Sequence, residues 1–264
     1  MKLSFIGCGN MGTATLKGIL AKGLVDKSDI MIAEVASDAL KATCDSLGVA
    51  GTLDSSEAAK HGDIIVLTVK PQCYEEVIKN IKDDVNEGQI IVTVAPGKTL
   101  AWVAETFGKP MKVIRTMPNT PALVQEGMTG MCANDKVSEA DLKSVVALFE
   151  GFGRVGIVPE SLMDVVTAVS GSSPAYVFML IEAMAKMASQ AGMAPKQAKQ
   201  FAAQAVLGSA RMVLETDESP ADLKEKVCSP GGTTIEAVRV LEEKEMQKSI
   251  AEAMEACIDK SKKL

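Results

Sequence analysis

Runs of β-branched and other apolar residues, LSFI, DIMIA, DIIVLTV, QIIVTVA and MKVIR, recur between Lys2 and about Val158, and each is followed by a segment patterned for a helix. The runs are apolar almost throughout, as strands buried on both faces should be; a half-exposed sheet would alternate instead. Strands alternating with helices in this way predict βαβ units and a parallel sheet covered by helices on both sides. GMTGMCA and GRVGIV, which flank a helical stretch at about 139–149, read as two further strands added at the sheet edge.

After Pro159 the strand pattern stops. The rest reads as helices punctuated by Ser172-Ser173-Pro174, Gly192, Pro195, Pro220 and Ser229-Pro230-Gly231-Gly232. The expected organisation is therefore α/β: a Rossmann-type doubly wound domain over residues 1–158, then an all-helical domain over 159–264. Within the latter, only Glu182, Lys186, Ser189 and Gln190 interrupt the apolar stretch from Pro174 to Ala191. Apolar residues thus run most of the way round this helix, which must be buried on nearly all sides. A helical region of roughly 100 residues has little material to do this alone, which points to a second subunit, hence a homodimer or a larger homo-oligomer built from dimers. A central helix of a self-sufficient bundle is the alternative.

Composition narrows the ligand. A net charge of -6 and an isoelectric point near 5.1 argue against nucleic acid or an anionic membrane as partner and in favour of a small molecule. The six cysteines are scattered singly with no CxxC pair, which fits free thiols in the cytoplasm better than a disulfide frame or zinc site. The start, MKLSFIGCGN, reads as a buried first strand rather than a signal peptide, and no membrane span is expected. The single histidine, His61, stands in a polar stretch and reads as a surface residue. No HExxH, GxSxG or Walker pattern occurs, so hydrolase and phosphoryl-transfer chemistry lose support.

The first strand runs from Ile6 straight into Gly7-Cys8-Gly9-Asn10-Met11-Gly12 and a helical pattern, a GxGxxG in strand–turn–helix context. Gly7 would permit the tight turn, Gly9 a close backbone approach to a pyrophosphate, and Gly12 close helix–strand packing, with the phosphates on free helix N–H groups. Glu34 ends the second strand about 20 residues further on, where an acidic side chain accepts from the adenosine ribose and favours NADH over NADPH; a solvated loop glutamate is the plain alternative. Thr68-Val69-Lys70-Pro71 and Ala95-Pro96-Gly97 follow two later strands, at the carboxyl ends where open α/β sheets bind ligands, although ordinary connections look the same. In Met117-Pro118-Asn119-Thr120-Pro121 the prolines stiffen a loop that would aim the Asn119 amide at a cofactor or substrate, or simply make a turn. Ser229-Pro230-Gly231-Gly232-Thr233-Thr234 opens a helix near Ile235 and forms an anion-binding concavity of backbone N–H groups. Thr233 with Glu236 also fits a capping box.

In this order and spacing, IGCGNMG, VKPQ, RTMPNTPALVQEGMT, AVSGSSPAYVF and VCSPGGTT resemble pyrroline-5-carboxylate reductase along essentially the whole chain. The resemblance implies a Rossmann domain followed by a helical dimerisation domain, and hydride transfer from NAD(P)H to the C=N carbon of 1-pyrroline-5-carboxylate to give L-proline. It places the cofactor over Ile6, Gly7, Gly9, Asn10, Met11 and Gly12, with the nicotinamide beside Thr68 to Pro71, Ala95, Gly97 and Asn119. The substrate carboxylate falls on Ser229, Gly231, Gly232 and Thr233, and the Thr234 hydroxyl hydrogen-bonds the ring nitrogen at a subunit interface. Ser173 stands where the family usually has Gly and is expected to act as a helix N-cap before Pro174; Pro96 replaces one residue of an Ala-Gly pair. A reductase of another cyclic imine or of a small β-hydroxy acid is the alternative, and those families lack SPGGTT.

Overall fold

Leu3–Ile6 (β1) lies at the centre of the sheet and is buried along its whole length. The structure, a computed structural model, describes residues 1–263. The strands that follow are Ile30–Ala33 (β2), Ala50–Thr52 (β3), Ile64–Leu67 (β4), Ile90–Thr93 (β5), Lys112–Met117 (β6), Gly127–Ala133 (β7) and Gly153–Ile157 (β8). They form one eight-stranded sheet ordered β3-β2-β1-β4-β5-β6-β7-β8, parallel except where β6 meets β7. The two strands expected from GMTGMCA and GRVGIV are present as β7 and β8, with β8 at the sheet edge. β3 was not marked by any apolar run, because Ala50 and Gly51 are exposed and the strand pairs only with β2.

Successive residues of a strand face opposite sides, so β1 sends Leu3 and Phe5 into one core and Ile6 into the other. The helices Asn10–Ala21 (α1), Ser37–Leu47 (α2), Ser55–His61 (α3), Tyr74–Ile81 (α4), Leu100–Phe107 (α5) and Glu139–Phe149 (α6) cover both faces. Tyr74, Ile78 and Ile81 of α4 recur at helical spacing and are fully buried. The register levels the carboxyl ends: Ile6 pairs with both Ala33 and Leu67, and Leu67 pairs with Thr93. Gly7, Glu34, Thr68 and Val94 therefore leave the sheet along one edge.

The strand pattern does end at Pro159, but the first compact unit runs on to Ser172 and takes back the chain end from Cys257. The helical turn Met163–Val166 (α7) and a π-helical turn at Thr167–Gly171 bury Met163 and Ala168 completely or nearly so. At the chain end, Cys257 Sγ donates to Ser172 Oγ at 3.2 Å and Ser261 Oγ to Asp164 Oδ1 at 2.6 Å. Ser173 does not stand outside a helix as an N-cap. It is the first residue of Ser173–Gln190 (α8), one position after the π-turn's own cap, Ser172, and its φ is negative, so serine in place of glycine is unstrained.

The second unit, residues 173–256, consists of α8, Pro195–Glu215 (α9), Pro220–Val227 (α10), Thr233–Glu243 (α11) and most of Met246–Ser261 (α12). α8 has no buried residue; Phe178, Met179 and Met187 are each more than 60% exposed. Within the helical run Glu160–Gln190, an 18-residue stretch of mean hydropathy 1.3 is long and apolar enough to cross a membrane by length and composition, a test that the core helix of a soluble protein also passes.

Candidate functional site

The turn after β1 is built as a dinucleotide site requires. Gly7 has φ +81°, and a Cβ there would lie 2.9 Å from the Val69 backbone nitrogen, so this turn admits only glycine. At Gly12 a Cβ would lie 2.7 Å from Thr68 Oγ1, which shows how closely α1 approaches the end of β4. At Gly9 a Cβ would meet nothing within 4 Å. No contact inside the protein explains that glycine, and the space beside it is free for a ligand. Gly9 is also the N-cap of α1 without any side-chain cap, and no acidic residue occupies the first turn. The N–H groups of Asn10, Met11 and Gly12 thus sit at the positive end of a helix, an arrangement that attracts phosphate.

Glu34 stands one residue past β2, half-buried, with its carboxylate drawn against the glycine turn: Oε2 accepts from Cys8 N at 3.1 Å and Oε1 from Ala36 N at 3.4 Å. Its carboxyl group is held beside the turn rather than freely solvated. Cys8 is kept as a neutral thiol, its pKa raised chiefly by burial and further by Glu34, against a hydrogen bond with Thr13. A neutral sulfur there leaves the field at the helix start positive.

Along the same edge, Thr68 Oγ1 donates to the Gly7 carbonyl and so ties the end of β4 beneath the turn. Val69 and Lys70 follow, and Pro71 opens a short 3-10 turn at its first position. Ala95 is buried, with Pro96 and Gly97 in the adjoining turn. Asn119 Oδ1 accepts from Met128 N at 2.9 Å, its Nδ2 donates to the Ser170 carbonyl at 3.0 Å, and it is 7% exposed. These bonds hold the stiff loop to β7 and to the π-turn while leaving one Nδ2 proton and one Oδ1 lone pair uncommitted. His61 is likewise structural, its Nε2 lying 3.0 Å from the Asp29 carbonyl.

Two features escaped the sequence reading. Fully buried Tyr74 places its hydroxyl between the Leu67 carbonyl and the Val94 N–H, and burial pushes its pKa well up, so it stays protonated. Arg115, 5% exposed, pairs with Glu160 at 3.1 Å, and the same Glu160 oxygen accepts from Leu100 N at 2.7 Å, fixing the start of α5. The apolar spacing of Tyr74 with Ile78 and Ile81 signalled burial, but not the partner of the phenol. Nothing in the sequence pairs Arg115 with a residue 45 positions away.

In the second unit, Ser229, Pro230 and Gly231 are exposed, and Gly232 N donates to the Ser229 carbonyl at 2.9 Å, closing a turn in which Gly231 has φ +71°. The helix begins at Thr233, two residues earlier than expected, and its N-cap is Gly232 with no side-chain hydrogen bond. The expected capping box is thus absent: Thr233 lies inside the helix, where its hydroxyl cannot cap, and Glu236 faces Arg239 at 3.3 Å. The first-turn N–H groups of α11 keep their capacity for an anion, with Ser229 in the preceding turn and the half-buried Thr234 in the helix's own first turn.

Residues 160–264 match the family model for pyrroline-5-carboxylate reductase dimerisation, and residues 2–97 match that for NADP oxidoreductase, coenzyme F420-dependent. A pyrroline-5-carboxylate reductase of Escherichia coli (strain K12) is 48% identical over 100% of this chain and 98% of its own length. The crystal structure of a Plasmodium falciparum pyrroline carboxylate reductase with NADP bound superposes with a TM-score of 0.91 at 32% identity, covering 99% of this chain and 97% of that one. A pyrroline-5-carboxylate reductase from Coxiella burnetii gives a TM-score of 0.92 at 34% identity over 99% and 97% of the two chains.

Proposed function

The chain belongs to the pyrroline-5-carboxylate reductase family, and from that premise we propose that it reduces 1-pyrroline-5-carboxylate to L-proline, the last step of proline biosynthesis, with NAD(P)H as reductant. What carries the reading is that the likeness runs the full length of the chain, through the glycine turn at one end and the Ser229–Thr234 loop at the other.

Bound NAD(P)H supplies the hydride. In the first unit, the uncapped start of α1 at Asn10, Met11 and Gly12 holds the pyrophosphate, Gly9 leaves the room for it, and Glu34 accepts from the adenosine ribose. Ile6 through Gly12 form the floor of that half of the site, and Thr68 to Pro71 with Ala95 and Gly97 flank the nicotinamide. Asn119 also stands beside the nicotinamide, on a loop that its own amide holds still. In the second unit, Ser229, Gly231, Gly232 and Thr233 bind the substrate carboxylate through backbone N–H groups and hydroxyls, and Thr234 Oγ1 accepts from the protonated ring nitrogen. A cyclic imine protonated near neutral pH is already electrophilic, so closeness and orientation do most of the work. No histidine or metal is needed for such a step.

Glu34 makes the cofactor reading finer: its carboxylate repels a 2′-phosphate, so NADH is used at least as well as NADPH. The exposed apolar side chains of α8 are covered by a second copy of the chain, making a homodimer with a cytoplasmic, small-molecule task. The test is direct. Purified protein given pyrroline-5-carboxylate should oxidise NADH, with NADPH followed separately. Turnover of another cyclic imine or a small β-hydroxy acid, with none of pyrroline-5-carboxylate, would replace the proposal.

A further inference from the structure

β4 and β5 part company one residue too early. Their parallel register ends at Leu67 paired with Thr93, and in a continued ladder the Val94 N–H would reach the Leu67 carbonyl directly. The hydroxyl of Tyr74 stands in that rung instead: it donates to the Leu67 carbonyl and accepts from Val94 N at 3.2 Å. The side chain is fully buried and is the first residue of α4. Its ring is therefore held by the apolar cluster around Ile78, Ile81, Leu67 and Ala95, and the hydroxyl cannot swing out of the gap. Inserting one oxygen into a ladder rung satisfies both strand-end groups while keeping the strands apart. Immediately beyond the rung, β4 continues into Thr68–Pro71 and β5 into Ala95–Gly97, at the carboxyl edge where open parallel sheets take their ligands.

We propose that Tyr74 is a positioning residue for the reductase, a hydroxyl wedge that sets the separation of the two strand exits flanking the nicotinamide. The proposal rests on the dinucleotide placement given above. It makes a distinction that a purely structural hydrogen bond would not: the wedge serves the nicotinamide half of the cofactor and is indifferent to the adenosine half, which lies on the glycine turn and Glu34.

The experiment compares Tyr74→Phe and Tyr74→Met with the wild type, measuring dissociation constants for ADP-ribose and for NADH, together with kcat. Methionine fills the space with an adaptable side chain should phenylalanine fold poorly. Ser4→Ala is the control: it removes another buried hydroxyl bond, Ser4 Oγ to the Ala58 carbonyl at 2.6 Å, made from the middle of β1 to α3 rather than at a strand exit. The expected result is unchanged ADP-ribose binding with NADH affinity and kcat each lowered about three- to tenfold in the Tyr74 variants, while Ser4→Ala lowers Tm and leaves both ligands and kcat alone. Equal weakening of both ligands, or wild-type NADH binding and kcat in a folded Tyr74 variant, would overturn the proposal. Failure of the wild type itself to bind ADP-ribose and NADH would remove its premise, and the two failures are told apart by the wild-type measurement.

Discussion

Substituting alanine for Gly9 and, separately, for Gly12 separates a glycine kept for a ligand from a glycine kept for packing. Gly9 has φ -66° and ψ -164°, backbone that any residue adopts, and a Cβ there meets nothing within 4 Å. Alanine is a slightly poorer N-cap than glycine but restricts the unfolded chain, effects of a few tenths to about 1 kcal/mol that oppose each other. The stability of Gly9→Ala should therefore stay within about 0.5 kcal/mol of wild type. Its methyl group, however, fills the space through which a pyrophosphate approaches the α1 N–H groups, and NADH affinity should fall at least about tenfold, some 1.4 kcal/mol. Gly12→Ala differs. Its Cβ would sit 2.7 Å from Thr68 Oγ1 and 3.3 Å from the Gly7 carbonyl, and Thr68 Oγ1 is itself bonded to that carbonyl and cannot rotate away freely. Overpacking of this kind costs about 1–3 kcal/mol, offset by about 1 kcal/mol of helix propensity, so Gly12→Ala should lose both stability and cofactor affinity. Thermal melting with calorimetric titration of NADH and NADPH reads both quantities. Full NADH affinity in Gly9→Ala at unchanged Tm would refute the placement of the pyrophosphate on this turn.

Glu34→Ser should shift preference toward NADPH by about 1–3 kcal/mol in kcat/KM ratio, by removing the charge that a 2′-phosphate would face; a wild-type preference for NADPH of about a hundredfold or more, about 2.7 kcal/mol, would contradict the role given to Glu34. Thr234→Ala should lower kcat/KM for pyrroline-5-carboxylate about 10- to 100-fold with little change in cofactor affinity. Thr233→Ala should leave Tm unchanged or slightly raised, since its hydroxyl caps nothing and alanine is the better helix former; loss of activity in Thr233→Ala with Thr234→Ala intact would exchange the two assignments. Met179→Lys should give aggregated or unfolded protein through an unpaired charge buried at a subunit contact. Within one chain Met179 is 68% exposed, where a lysine would cost nothing, so the loss reports the partner alone; light scattering that finds active wild type as a monomer would dismiss the dimer.

How much of this was legible beforehand depended on whether a residue's constraint was local. The buried parallel strands were readable because burial on both faces leaves continuous apolar runs, and the edge pair β7 and β8 were readable from their β-branched and glycine pattern. β3 was not, because a three-residue strand at a sheet margin needs only one partner and no apolar run. The glycine turn was legible because Gly7 and Gly12 answer to a positive φ and a close helix–strand approach that sequence spacing already encodes. Where the constraint came from elsewhere in the fold, residue type alone misled. Thr233 and Glu236 have the right spacing for a capping box, but the turn closed by Gly232 on Ser229 starts the helix two residues early and moves Thr233 inside it. For Asn119, residue type did not show that Met128 and Ser170, 9 and 51 residues away, also bond the amide and hold its loop.

The limit of the first unit follows the same logic. A change from strand to helix patterning marks where the sheet stops at Pro159, but a domain ends where its core stops. Met163 and Ala168 carry that core onward through α7 and the π-turn, while Cys257 and Ser261 return to it from the far end of the chain. α8 is the converse case. Its all-round apolar composition was readable locally and says that something must cover it, yet among the described residues α9 packs against it without fully burying any of its side chains. The unsatisfied surface of α8 is thus the part of the sequence that specifies a relation between two chains rather than the fold of one. If the loop Ser229–Thr234 acts only when that surface is covered, activity and assembly should be lost together, so that diluting the enzyme toward monomer lowers specific activity in step with the dimer fraction measured by light scattering. Constant specific activity through that dissociation would show that each chain carries a complete site.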